Sequence, residues 1–120
     1  MAGLTIDHVQ IAIPVDGEIS ARGYYADIVG LIELPKPADL ALRGGCWFQT
    51  GDMQFHLGID KDFHPAQKAH VALRTNQFEA LRSRIEAAGY KIVDANDIDG
   101  CRRFFSNDPF GNRIEFISTT

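Results

Sequence analysis

Apolar and polar residues alternate along Thr5 to Ile13, with Val9, Ile11 and Ile13 on one side and His8, Gln10 and Ala12 on the other. A two-residue period of this kind predicts a half-buried strand, and Pro14 ends it. The period then lengthens. Ile19, Tyr25, Ile28 and Val29 fit the buried stripe of a helix with Asp16 as its cap, Glu18 in its first turn and Gly30 after its end. A short strand, Leu31 to Leu34, runs into the Pro35-Lys36-Pro37 break, and Ala38 to Gly45 reads as loop with a strand edge. Cys46 to Thr50 and Met53 to Ile59 form a predicted hairpin about Gly51-Asp52, with Phe55, Leu57 and Ile59 on one face and Gln54 and His56 on the other.

After a linker from Asp60 to Lys68, Ala69 to Thr75 alternates again, with Val71 and Leu73 opposed to His70, Ala72 and Arg74. Asn76 and Glu79 suggest a capping box for a second helix, whose buried side is Phe78, Leu81, Ile85 and Ala88 and whose stop is Gly89. Tyr90 to Val93, Cys101 to Ser106 and Asn112 to Ser118 complete the strands. The last follows a turn, Asp108-Pro109-Phe110-Gly111-Asn112, in which Pro109 fixes φ and Gly111 is free to take positive φ. Beyond it Arg113, Glu115 and Ile117 share one face, and Ile114 and Phe116 the other.

The order strand-helix-strand-strand-strand thus occurs twice, from about residue 4 to 60 and from about 68 to 118, within a single domain spanning residues 1–120. His8-Val9 and His70-Val71 stand 62 residues apart, and His56 and Glu115 stand 59 apart, each with a glycine shortly before it. Near-constant offsets of this size indicate a duplicated module.

Duplication changes the meaning of the polar faces. One face of a sheet is often simply solvated. Here, however, His8, His56, His70 and Glu115 fall at equivalent end-strand positions, and imidazole nitrogens with one carboxylate are a donor set for a divalent metal. His64, in a Phe-His-Pro loop, fits no such pattern and reads as a surface residue. A net charge of −4 and the lack of a basic stripe give nucleic acid no foothold, and no apolar run approaches membrane-spanning length. Two cysteines, Cys46 and Cys101, are too few for a disulfide framework and read as reduced thiols of a cytoplasmic protein.

The whole pattern resembles the vicinal oxygen chelate superfamily of glyoxalases, bleomycin and fosfomycin resistance proteins and extradiol dioxygenases. The marks are Asp7-His8-Val9, Ala69-His70-Val71 and Asp108-Pro109-Phe110-Gly111-Asn112-Arg113-Ile114-Glu115-Phe116. The resemblance implies an α+β fold of two βαβββ modules forming a cup-shaped mixed β-sheet, with helices on the outer face. It implies metal ligands at His8, His56, His70 and Glu115, and a divalent ion (Zn, Ni, Mn, Co or Fe) as cofactor. Gln10, Gln54, Arg74 and Arg113 become candidate substrate contacts, and Trp47 and Phe104 candidate aromatic walls.

The implied activity is a metal-dependent lyase or isomerase acting on a small substrate with vicinal oxygens, with Glu115 as proton carrier. At the position of His56, glyoxalase I has a glutamate, so its paired-glutamate proton shuttle does not carry over. A metal-free drug-binding protein of the bleomycin-resistance type and an extradiol Fe(II) dioxygenase are the alternatives. A homodimer is the implied assembly, without nucleic-acid or membrane partners.

Overall fold

The computed structural model describes residues 2–119, and its close contacts divide into two units between His64 and Pro65. In the first, β1 (His8–Ile13), β2 (Ile32–Leu34), β3 (Cys46–Thr50) and β4 (Met53–Ile59) form one sheet in the order β1-β4-β3-β2. β1 runs parallel to β4, and the other pairs are antiparallel.

Alternation along these strands sends Ile13, Phe48, Phe55 and Leu57 into the core. Helix α1 (Glu18–Arg22) and a π-helical continuation, Gly23–Ile28, cover them. In the π segment the Val29 N–H reaches back five residues to the Tyr24 carbonyl at 2.9 Å. The wider turn lets two consecutive tyrosines, Tyr24 and Tyr25, both bury completely. The Tyr25 ring meets Phe55 at 5.4 Å between centroids and Phe48 at 6.0 Å.

That solution displaces two expectations. Ile19 is 84% exposed, because Ala21 and the tyrosines supply the buried stripe. Asp16 does not cap the helix: it sits at φ 64°, inside a turn closed by Gly17 N–H to Pro14 O at 3.1 Å, and Gly17 is the N-cap residue.

The segment read as loop contains a one-turn helix, α2 (Ala38–Ala41), in which the Leu40 and Ala41 N–H groups both bond to Pro37 O at 2.9 Å. Pro37 has no N–H to lose and is well placed just before a helix. The Lys36 ammonium donates to the Gly44 carbonyl and clips the segment closed.

In the second unit, β5 (Val71–Thr75), β6 (Val93–Ile98), β7 (Cys101–Asn107) and β8 (Arg113–Ser118) follow the same plan, in the order β5-β8-β7-β6 with β5 parallel to β8. Helix α3 (Phe78–Ala87) buries Phe78, Leu81 and Ile85, and Phe78 meets Phe104 edge-on at 5.2 Å. The capping box does not form: Gln77 is the N-cap residue with no side-chain cap, and Thr75 Oγ1 instead accepts its N–H at 2.9 Å. Ala88 is exposed.

At the other end Gly89 takes φ 93°, its N–H bonds to Glu86 O at 3.0 Å, and the Tyr90 N–H bonds to Ile85 O at 3.2 Å. Closing the helix this way uses up Tyr90. The strand expected from Tyr90 therefore begins only at Val93.

Both units are mixed four-stranded sheets whose apolar face takes the helix, and the α+β class follows directly. Among the described residues no helix is long and apolar enough to cross a membrane.

Candidate functional site

On the polar face of the first unit, the register pairs Gln10 with His56 across β1 and β4, and Trp47 with His56 across β3 and β4. The side chains form a column. Trp47 and His56 stack with centroids 4.2 Å apart and planes 5° apart, and His56 and His8 at 4.2 Å and 17°. His56 Nε2 donates to Gln54 Oε1 at 2.9 Å. Burial, and next the neighbouring His8, hold its pKa below the ordinary imidazole value. His8 Nδ1 donates to Asp7 Oδ2 at 2.9 Å.

The segment around α2 lies across this face. Lys36, Leu40, Arg43 and Gly44 on one side, with His8, Gln10, Trp47, Gln54 and His56 on the other, line a cavity of about 520 Å³. Lys36 Nζ stands 5.8 Å from the Trp47 ring centroid. An ideal Cβ on Gly58 would come within 2.6 Å of Gln10 Nε2, so the missing side chain is what lets the Gln10 amide lie against the sheet.

In the second unit Glu115 pairs with Ala72 on β5 and with Phe105 on β7, repeating the neighbours of His56 position for position. Its Oε1 lies 2.8 Å from His70 Nε2, and its Oε2 lies 3.4 Å from Arg103 Nη1. His70 Nδ1 faces the Lys68 carbonyl at 3.0 Å. A carbonyl only accepts, so Nδ1 carries a hydrogen and Nε2 is left facing a carboxylate oxygen. The contact at Nε2 then requires a second proton or a cation.

The turn before β8 sets this register. Asp108 Oδ1 accepts the N–H groups of Phe110 and Asn112, both at 2.9 Å, and Oδ2 accepts from Asn112 Nδ2 at 3.0 Å. Asn112 Oδ1 accepts the Ala66 N–H at 2.8 Å, and the Arg113 N–H bonds to Ala66 O at 2.8 Å, tying the chain just before β5 to the start of β8.

The fit to a divalent ion differs between the residues named from sequence. His70 and Glu115 converge, and the Nδ1–H bond to a carbonyl orients the imidazole as metal-ligating histidines are oriented. His8 and His56 are brought together as stacked rings instead. Imidazole lone pairs lie in the ring plane, so near-parallel rings direct theirs side by side and not toward a common point. Among the described residues no group of three or more His, Cys, Asp or Glu is close enough to hold an ion by itself.

Gln10, Gln54 and Trp47 line the cavity, but Phe104 does not wall it. Phe104 is fully buried on the opposite face, stacked on Phe116 at 5.1 Å. Phe105 takes the polar face, in edge contact with His70 at 5.4 Å. Arg113 lies over Phe105 at 5.3 Å, whereas Arg74 is drawn to the far end of its strand by Ser118 O at 3.2 Å. Sequence reasoning missed Phe105, Arg103, Lys36 and Arg43. Pairing the two halves strand by strand would have found Phe105, which stands to Glu115 as Trp47 stands to His56.

Residues 5–116 match the family model of the Glyoxalase/Bleomycin resistance protein/Dioxygenase superfamily. Among solved structures, a protein from Bacillus anthracis assigned to the glyoxalase family is 39% identical, with a TM-score of 0.91 over 98% of this chain and 96% of that one. The fosfomycin resistance protein FosX from Listeria monocytogenes is 14% identical, with a TM-score of 0.71 over 100% and 95% of the two chains. The oxidase ChaP-H2 is 21% identical, with a TM-score of 0.75 over 98% and 95%. The last two are similarities of fold. No curated protein matches the chain. The chain belongs to the glyoxalase/bleomycin resistance protein/dioxygenase superfamily.

Proposed function

We propose that the protein is a metal-dependent enzyme of the lyase or isomerase type, acting on a small molecule with vicinal oxygens. The observation that carries the reading is the His70–Glu115 pair, with Nε2 and Oε1 2.8 Å apart and Nδ1 tied to a backbone carbonyl. These two side chains would hold the ion, and the set expected from sequence adds His8 and His56. A bound divalent ion supplies Lewis acidity to substrate oxygens.

The chain's own groups do the rest. Glu115, with Oε1 committed to His70, has Oε2 to accept or return a proton. The Arg103 guanidinium, 3.4 Å away, keeps Oε2 in place. In the first unit the amides of Gln10 and Gln54 offer hydrogen bonds to polar groups of the substrate, and Trp47 gives the cavity a flat wall. A homodimer and a cytoplasmic location, with Cys46 and Cys101 reduced, belong to the same reading.

Metal analysis of protein purified without added metal tests it. A stoichiometric divalent ion is expected, lost in His70→Ala and Glu115→Gln, and the content of His8→Ala and His56→Ala decides whether those residues join the set. Metal-free wild-type protein that takes up no added ion would favour a binding protein instead. Oxygen uptake with catechols would point to ring cleavage.

A further inference from the structure

The cavity in the first unit has a charge pattern that the ligand reading leaves unused. Lys36 and Arg43 both line it. The other cations near acidic groups are spent: Arg22 pairs with Glu33, Arg82 with Asp94, Arg102 with Glu79 and Arg103 with Glu115. Lys36 bonds to a neutral carbonyl, that of Gly44, and faces the Trp47 ring. Arg43 has no ion pair, and neither cation has a carboxylate partner among the described residues. The one carboxylate lining the cavity, Asp7, is engaged by His8 Nδ1 at 2.9 Å. Two cations without a carboxylate partner on one wall, with the amides of Gln10 and Gln54 and the Trp47 indole on the other, make a receptor for a negative group on a compact body.

We infer that this cavity takes a small organic oxyanion, a carboxylate or phosphonate whose charge is met by Lys36 and Arg43 and whose body lies against Trp47. The inference rests on the reading that the cavity receives the substrate, and it names that substrate's charge. Charge-assisted hydrogen bonds discriminate strongly against a neutral analogue of the same shape. An uncharged substrate would leave Lys36 with the Gly44 carbonyl alone and Arg43, which is exposed, with solvent.

Trp47 is the chain's only tryptophan, so fluorescence excited selectively at tryptophan reports on this cavity. Chelator-stripped protein is titrated with benzoate, phenylphosphonate and neutral benzamide. Saturable fluorescence changes are expected with the anions at concentrations at least about tenfold below any effect of benzamide. The order of benzoate and phenylphosphonate identifies the preferred oxyanion. Arg43→Ala should weaken anion binding by about tenfold. The one bond Arg43 makes in the segment is from its backbone N–H to Leu40 O at 3.1 Å, which alanine keeps, so this loss is not one of folding. Lys36→Arg should retain binding that Lys36→Met loses. Benzamide binding as well as benzoate, no saturable response to either anion, or unchanged affinity in Arg43→Ala would each overturn the inference. Because the titration uses metal-free protein, its failure is distinct from failure to bind an ion, which metal content reads separately.

Discussion

His56 has an aromatic ring on each face, Trp47 and His8, and an amide oxygen at Nε2. Its pKa is lowered mainly by burial and then by His8, with Lys36 adding slightly and Asp7 opposing. Between the lowered native value and the ordinary value of about 6.5, the unfolded chain binds more protons at this position than the native chain. Stability therefore rises with pH across that interval and is lost as pH falls through it. In chelator-treated protein the urea midpoint should drop between pH 7.5 and 5, and it should drop less in His56→Phe, which keeps the stack but cannot titrate. An equal drop in both would mean that His56 is not the source of the effect.

Gly58, unlike His56, has an effect separable from folding. Gly58→Ala gains backbone rigidity and pushes the Gln10 amide aside. Stability should change by under ~1 kcal/mol while benzoate affinity falls several-fold.

At the scale of elements, the turn from Asp108 to Asn112 does more than reverse the chain. Asp108 and Asn112 are both buried, and their side chains satisfy backbone N–H groups of the turn and of Ala66. Asp108→Ala would orphan two N–H groups, which should cost about 2–4 kcal/mol in denaturant unfolding. Asp108→Asn keeps the Oδ1 acceptor but sets one amide NH₂ against another, so it should cost less. Equal losses in the two variants would mean that the carboxylate's second oxygen carries the turn.

This turn was legible from Pro109 and Gly111, because turn chemistry is local. So were the strands bearing His8, His56, His70 and Glu115, whose alternation states which face each residue takes. The segment from Lys36 to Gly44 was not. Its shape depends on a bond from Lys36 to a carbonyl eight residues on and on Pro37 starting a one-turn helix, and neither leaves a periodic trace. Phe104 and Phe105 are neighbours of identical chemistry, and only the cross-strand partner, Phe116 or Glu115, tells which one faces the core.

For the whole molecule, duplication fixed the candidate positions and divergence set their chemistry. The register that places Gln10 and Trp47 beside His56 places Ala72 and Phe105 beside Glu115. One copy has become a column of stacked rings over a cavity, and the other a His–carboxylate pair. An ion bound by that pair binds the native chain and not the unfolded one, so it stabilises the fold as a whole. At a free-ion concentration near 100 times the dissociation constant the gain is about 2.7 kcal/mol, which in a chain of this length raises the melting temperature by roughly 10 °C. Calorimetry of chelated and metal-loaded protein should show that rise in the wild type and in Arg43→Ala. Glu115→Gln should lose it, since the amide keeps the shape of the side chain and gives up the charge. A rise that persists in Glu115→Gln would place the ion elsewhere in the chain, and the metal reading of His70 and Glu115 would fall with it.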